Sequence, residues 1–265
     1  VRIDFLDMGT SIPGMKREKV EEAARIASRY DLVVLCLGEC SLRYRGRDQT
    51  AGENVDRDDI RLPGLQPRLL EAVHRSGTPV VGVVVNARPL DFTYMKEHIP
   101  AIVEAWEPGS FGGQAIAEIL WGKVNPSGKL TVSFPRNVGQ IPVFYNRKPS
   151  QYVRRYFRSP HGAVYEFGEG LSYTTYAYTG LKIDRTTVEA DETVTVSVDV
   201  QNTGDRAGEE IVQLYLNAPV SDVTRPIKEL KGFRRIALEP GEKRAVTFTL
   251  TPEAMETYDL YLNRS

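Results

Sequence analysis

DLVVLCLGE, residues 31–39, is a short, unbroken apolar run that stops at a glycine and a carboxylate. A run of this length without alternation fits a strand buried on both faces. It follows REKVEEAARIASRY, residues 17–30, where Val20, Ala23, Ala24 and Ala27 recur at helical spacing. The helix-then-strand unit repeats. LQPRLLEAVHRSG, residues 65–77, reads as a helix with Pro67 in its first turn and Gly77 past its end, and TPVVGVVVN, residues 78–86, is again apolar throughout. A third round runs from PLDFTYMKEHIP into AIVEAW, residues 89–106, and a fourth from SFGGQAIAEILWG towards KLTVSFP, residues 110–135. Apolar strands alternating with helices predict an α/β fold, a mostly parallel sheet sandwiched by helices. The ligand sites of such sheets gather in loops at the carboxyl ends of the strands.

The pattern changes further along. Residues 134–174 are rich in Pro, Gly, Tyr and Arg without periodicity, as in IPVFYNRKPSQYVRRYF and YEFGEGLSYTTY. Beyond them TVTVSVDVQNTGD, GEEIVQLYLN and KELKGFRRIALEPGEKRAVTFTLT alternate with period two around turns such as NTGD and EPGE. That grammar predicts a small antiparallel sandwich. The expected organisation is an α/β domain over 1–144, an irregular packed connector over 145–172 and an all-β domain over 173–265. The opening VRIDFLDMGTSIPG is not a clean first strand, and ETYDLYLNRS leaves no room for a normal closing one, so the chain is expected to be a piece of something larger or to have unusual termini.

Composition narrows the function. With 265 residues, 41% of them hydrophobic, the chain can bury a substantial core. Lys and Arg total 34 against 35 Asp and Glu, with no long run of one sign, which argues against nucleic acid or an anionic membrane as partner. No apolar run approaches the roughly 20 residues of a bilayer span. The only cysteines, Cys36 and Cys40, are four residues apart across a strand end, too far for a local bridge in an extended chain. His74, His98 and His161 are scattered, so no metal-ligand spacing emerges. There is no Gly-rich phosphate loop and no G-x-S-x-G elbow. The glycines of FGGQ could receive an anion at a helix start, but no cation is adjacent and close helix packing is the preferred reading.

One loop stands out. AGENVDRDDIRLPG, residues 51–64, gathers Glu53, Asp56, Asp58 and Asp59 around Arg57 and Arg61, between the first apolar strand and a helix start. By composition alone it is a solvated, salt-bridged connection.

The ordered strings LGE, GENVDRDDIRLPGLQPRLLEAV, VVVNARPLDF, AIVEAWEPGSFGGQAIAEILWGKVNPSGKLTVSFPRNVGQIPVFYN and YEFGEGLSYTTY resemble the second and third domains of glycoside hydrolase family 3, of the β-glucosidase type, over roughly residues 31–250. The tail DVQNTGDRAGEEIVQLYLNAPVSDVTRPIKELKGFRRIALEPGE is similar to that family's fibronectin type III-like module. The resemblance implies a retaining β-glycosidase without cofactor or metal, acting on an oligosaccharide or β-glucoside. It places the general acid/base at Glu53, with Arg57 and Asp59 holding the loop's shape or its contact with a barrel domain. Such an acid needs a pKa near working pH, which neighbouring carboxylates raise and Arg57 lowers. Glu39 is read as a structural carboxylate at the strand end. The family's nucleophile, an aspartate between Ser and Trp in a (β/α)8 barrel, has no counterpart in this sequence. A retaining pair stands about 5 to 5.5 Å apart, so a barrel from the same polypeptide or a separate chain is the implied partner. A β-xylosidase and a non-catalytic carbohydrate-binding or interaction module are the alternatives. The sandwich is a weaker candidate for sugar binding, because it shows no row of Trp and because Tyr215 and Phe248 take core-like alternating positions.

Overall fold

The computed structural model describes residues 2–8, 11–41, 48–52, 54–149, 160–221, 223–258 and 261, and the chain divides into two compact units. The first comprises Val1–Ala117, Ser133–Val143 and Tyr156–Tyr165; the second comprises Glu118–Val132, Phe144–Arg155 and Glu166–Ser265.

In the first unit, α1 (Arg17–Ala27) buries Val20, Ala23 and Ala27, a stripe spaced three and four residues apart, and carries Glu18 in its first turn. β1 (Val33–Gly38), β2 (Val80–Val85) and β3 (Ala101–Glu104) form a parallel sheet in the order β1-β2-β3, with Val33 opposite Val80 and Val81 opposite Ala101. The central β2 is buried at Val80, Val83 and Val84. β1 departs from burial on both faces: Leu35 and Leu37 are buried, while Val34 is 42% exposed and Cys36 is an exposed free thiol. α2 (Gln66–His74) starts with proline in its first turn, where the missing N–H has no helical acceptor, and buries Leu69, Leu70 and Val73. α3 (Thr93–His98) packs so closely on β2 that a Cβ at Gly82 would lie 2.4 Å from Met95 Cε. α4 (Gly112–Leu120) completes the helices of this part of the chain.

KLTVSFP does not become a fourth parallel strand. Phe134 and Tyr165 form an isolated antiparallel bridge, in which the Phe134 N–H donates to Tyr165 O at 2.8 Å and the Val164 N–H to Phe134 O at 2.7 Å.

The second unit holds two antiparallel sheets. One orders β4 (Tyr176–Ile183), β5 (Val194–Asn202) and β8 (Lys243–Leu250) as β4-β5-β8, and the other pairs β6 (Gly208–Leu216) with β7 (Glu229–Leu238). Val200, Val212, Leu238, Val246 and Phe248 form its main core, with Tyr176, Val198, Leu214 and Ile236 packed against it. A short helix, α5 (Pro252–Met255), follows β8. Asn202 ends β5 fully buried with its amide saturated. It donates to Arg206 O at 2.7 Å and Leu238 O at 3.1 Å, and accepts from the Thr174 hydroxyl at 2.6 Å and the Gly204 N–H at 3.1 Å. Four bonds from one side chain lock the NTGD turn against the neighbouring strands. Among the described residues, no helix is long and apolar enough to cross a membrane.

Candidate active site

The parallel sheet delivers three chain segments to one edge: the ends of β1, β2 and β3 and the loops leaving them. At the end of β1, Gly38 has φ 145, and a Cβ there would lie 1.8 Å from Val85 O, so only glycine lets the strands stay paired. The other side of Gly38 is closed by Gln66. Its buried amide accepts from the Gly38 N–H and donates to Gly38 O, both at 2.7 Å, imitating one residue of a neighbouring strand. The start of α2 is thereby fixed to the end of β1.

Glu39 comes next, with a side chain only 1% exposed. One carboxylate oxygen accepts from Arg57 Nη1 at 2.6 Å and the other from Arg88 Nε at 3.2 Å. A buried carboxylate needs such partners, since an unpaired one would protonate or unfold the site. The cluster ties three segments together, because Arg57 belongs to the acidic loop and Arg88 to the loop after β2. Arg57 reaches on, donating from Nη2 to Arg61 O at 3.0 Å.

The rest of the acidic loop is held by local bonds. The Thr50 N–H donates to Cys40 O at 2.8 Å and the Cys40 N–H to Thr50 Oγ1 at 2.9 Å, while Ala51 is fully buried. Gly52 and Asn54 both adopt positive φ, 96 and 63. Asp59 accepts from the Arg61 backbone N–H at 2.9 Å and pairs with its guanidinium at 2.6 Å. That hydrogen-bonded arginine holds the Asp59 carboxyl below its usual range. Asp56 and Asp58 are exposed. Glu53 lies outside the described residues.

Of the residues singled out in the sequence, Glu39 and Arg57 are thus in contact, and Asp59 pairs with Arg61 instead. A further polar pair at this edge escaped the sequence reading. Glu104 closes β3, and both of its carboxylate oxygens are buried without a hydrogen-bond partner. Asn86, just past β2, leaves its own Oδ1 unpaired while donating from Nδ2 to Arg88 O at 2.6 Å. Burial pushes the Glu104 carboxyl up to about 8; the Trp106 N–H and the Asn86 side chain pull the other way without completing a hydrogen bond. The available signal was a carboxylate ending an otherwise apolar strand, AIVE.

A parallel α/β unit carrying a charged loop at its carboxyl edge, followed by an antiparallel sandwich, has clear counterparts among known proteins. Residues 8–173 match the glycosyl hydrolase family 3 C-terminal domain and residues 210–264 a fibronectin type III-like domain. A β-xylosidase from Formosa agariphila is 44% identical over 94% of this chain, and a periplasmic β-glucosidase from Salmonella typhimurium 38% identical over 97%. Each is covered over 34% of its own length, so the chain spans about a third of these relatives. A β-glucosidase structure from Erythrobacter marinus superposes with a TM-score of 0.86 at 40% identity, covering 100% of this chain and 35% of that one. The β-glucosidase of Listeria innocua in complex with glucose gives 0.87 at 35% identity, covering 97% of this chain and 36% of that one. The chain belongs to glycoside hydrolase family 3.

Proposed function

We propose that this chain supplies the general acid/base, Glu53, of a retaining β-glycosidase that removes terminal non-reducing β-D-glucosyl residues. In the first step the protonated carboxyl donates to the leaving glycosidic oxygen as an aspartate on a barrel domain attacks the anomeric carbon. In the second, the same group, now ionised, takes a proton from the water that releases the sugar. The barrel belongs to the same polypeptide or to a separate chain. The observation that carries this reading is the buried Glu39–Arg57–Arg88 cluster, which supports a fixed frame for the loop that continues through Arg57. Catalytic carboxylates act within tenths of an ångström, and charged loops hold such tolerances only when tied to rigid elements. Arg57 and Asp59 serve that frame in this reading.

The test is made on this chain assembled with a barrel-bearing segment. Glu53→Gln should slow turnover of cellobiose by about a hundredfold or more, the usual range for lost acid catalysis, and slow glycosylation far less with an activated aryl glucoside. Azide should then restore turnover on the aryl glucoside and yield the β-glycosyl azide, because it attacks without needing a base. Full activity of Glu53→Gln on cellobiose, with loss in Asp56→Asn, would overturn the assignment. The relative named a β-xylosidase favours xylosides as the second substrate class. Parallel assays on aryl β-xylosides decide between the two sugars. No turnover of either class by the assembled protein would leave the non-catalytic carbohydrate-binding or interaction module as the reading.

A further inference from the structure

The second unit carries an open surface cleft of about 360 Å³, at the low end of the size range of small-ligand sites. Tyr178 of β4, Gln213 and Tyr215 of β6, the turn residues Gly168 and Glu169, and Lys228 line it. Its polar groups are already organised. Glu210 accepts from the Tyr178 hydroxyl at 2.9 Å on one oxygen and pairs with Lys129 at 3.3 Å on the other. The Tyr215 hydroxyl donates to Gln213 Oε1 at 2.5 Å, and Gln213 Nε2 donates to Gly168 O at 3.1 Å. Tyr178 is left 48% exposed.

We propose that this cavity is an accessory binding site for a neutral pyranose of an oligosaccharide, separate from the acid/base loop. The charge pattern selects for neutrality. Lys129 is spent on Glu210, Lys228 sits 5.2 Å over the Tyr215 ring, and carboxylates of the 166–169 turn face the same space, so neither a net anion nor a net cation finds an unopposed partner. The exposed Tyr178 ring supplies an apolar platform for the C–H face of a sugar, while amide, hydroxyl and ammonium groups around it suit ring hydroxyls. Because the network is formed in the free chain, little ordering cost is added on binding. Tyr215 had been expected in the core. Val212 and Leu214 take the core face of β6, so Tyr215, one residue on, turns to the cavity.

Titrating the ¹⁵N-labelled full chain with cellobiose or xylobiose up to about 20 mM, a range suited to weak sites, tests the proposal. Amide shifts should concentrate at Glu166–Glu169, Tyr178, Ile211–Tyr215 and Lys228. Tyr178→Ala and Lys228→Ala, both outside the cores, should each weaken binding, the former by about tenfold, as expected for loss of an aromatic platform. Unchanged shifts elsewhere establish that each variant is folded. Glu53→Gln should bind in this cavity as the unaltered chain does, which separates this site from the proposed catalysis. Absence of shifts at these amides, or unchanged affinity in both cavity variants, would sink the proposal.

Discussion

Glu39→Gln removes one charge and almost no volume, and it should loosen the first unit markedly. Glu39 lies 1% exposed between Arg57 and Arg88, whose side chains are 15% and 29% exposed. Glutamine can still accept from one guanidinium, but its NH₂ then faces the other, donor against donor. Breaking a fully buried ion pair costs about 3–5 kcal/mol. Here water reaches part of each arginine, so the expected loss is about 2 kcal/mol. The measurement is urea unfolding read from a single tryptophan. The chain has two: Trp106 in the first unit, and Trp121, which is 63% exposed and replaceable by Phe. In the Trp121→Phe background, a loss of about 2 kcal/mol should move the Trp106 midpoint down by about 1 M urea. A cycle with Arg57→Ala should give a coupling of about 1 kcal/mol or more. An unmoved midpoint, or strict additivity in the cycle, would refute the idea that Glu39 frames this edge.

Glu104 has the opposite electrostatics and predicts a pH effect. Its folded pKa, about 8, lies above the ordinary unfolded value, so the folded state holds a proton that the unfolded state releases. Stability from this group is complete below about pH 4.3 and falls until about pH 8. Glu104→Gln should therefore flatten the stability profile across that window and leave the variant more stable than the parent at pH 8, by on the order of a few kcal/mol; a parallel pair of profiles would contradict it. In the second unit, Asn202→Leu should cost about 2–3 kcal/mol, because the buried Leu238 carbonyl and Thr174 hydroxyl lose their partner, while the Arg206 carbonyl and Gly204 N–H can turn to water. Hydrogen exchange at the β5 and β8 amides should accelerate accordingly, and unchanged protection there would count against it.

Local periodicity carried most of the fold. TPVVGVVVN could be read as a central strand because no polar side chain interrupts it, and TVTVSVDV as part of a sandwich because every second residue is apolar. KLTVSFP failed for a physical reason. An extended apolar segment has the same composition whether it joins a parallel sheet or lies against another loop, and the choice was made by Val164 and Tyr165, roughly thirty residues away. The open face of β1 was hidden likewise, since burial of Val34 depends on what packs over it and not on its neighbours in sequence. At the site, residue types were legible and pairings were not. Glu39 could be seen to end a strand, but nothing local announces that Arg57 and Arg88 converge on it from two other loops.

Those pairings bear on why one carboxylate in a crowded loop should be singled out. A general acid must hold a proton near neutral pH and present it to an oxygen of the substrate. Glu39 cannot present a proton to a substrate, because both of its oxygens are engaged by arginines and its side chain is closed to solvent. Asp59 is held ionised by Arg61. Glu104 does hold its proton, yet both of its oxygens are sealed from solvent, so a leaving group cannot reach them. Among the described residues of this edge, Arg57 and Arg88 pair with Glu39 and Arg61 pairs with Asp59, so these arginines are engaged by carboxylates that frame the loop. In the proposed mechanism these three carboxylates therefore do not compete for the role given to Glu53, since Glu39 and Asp59 are bound to guanidinium groups and Glu104 is closed to solvent.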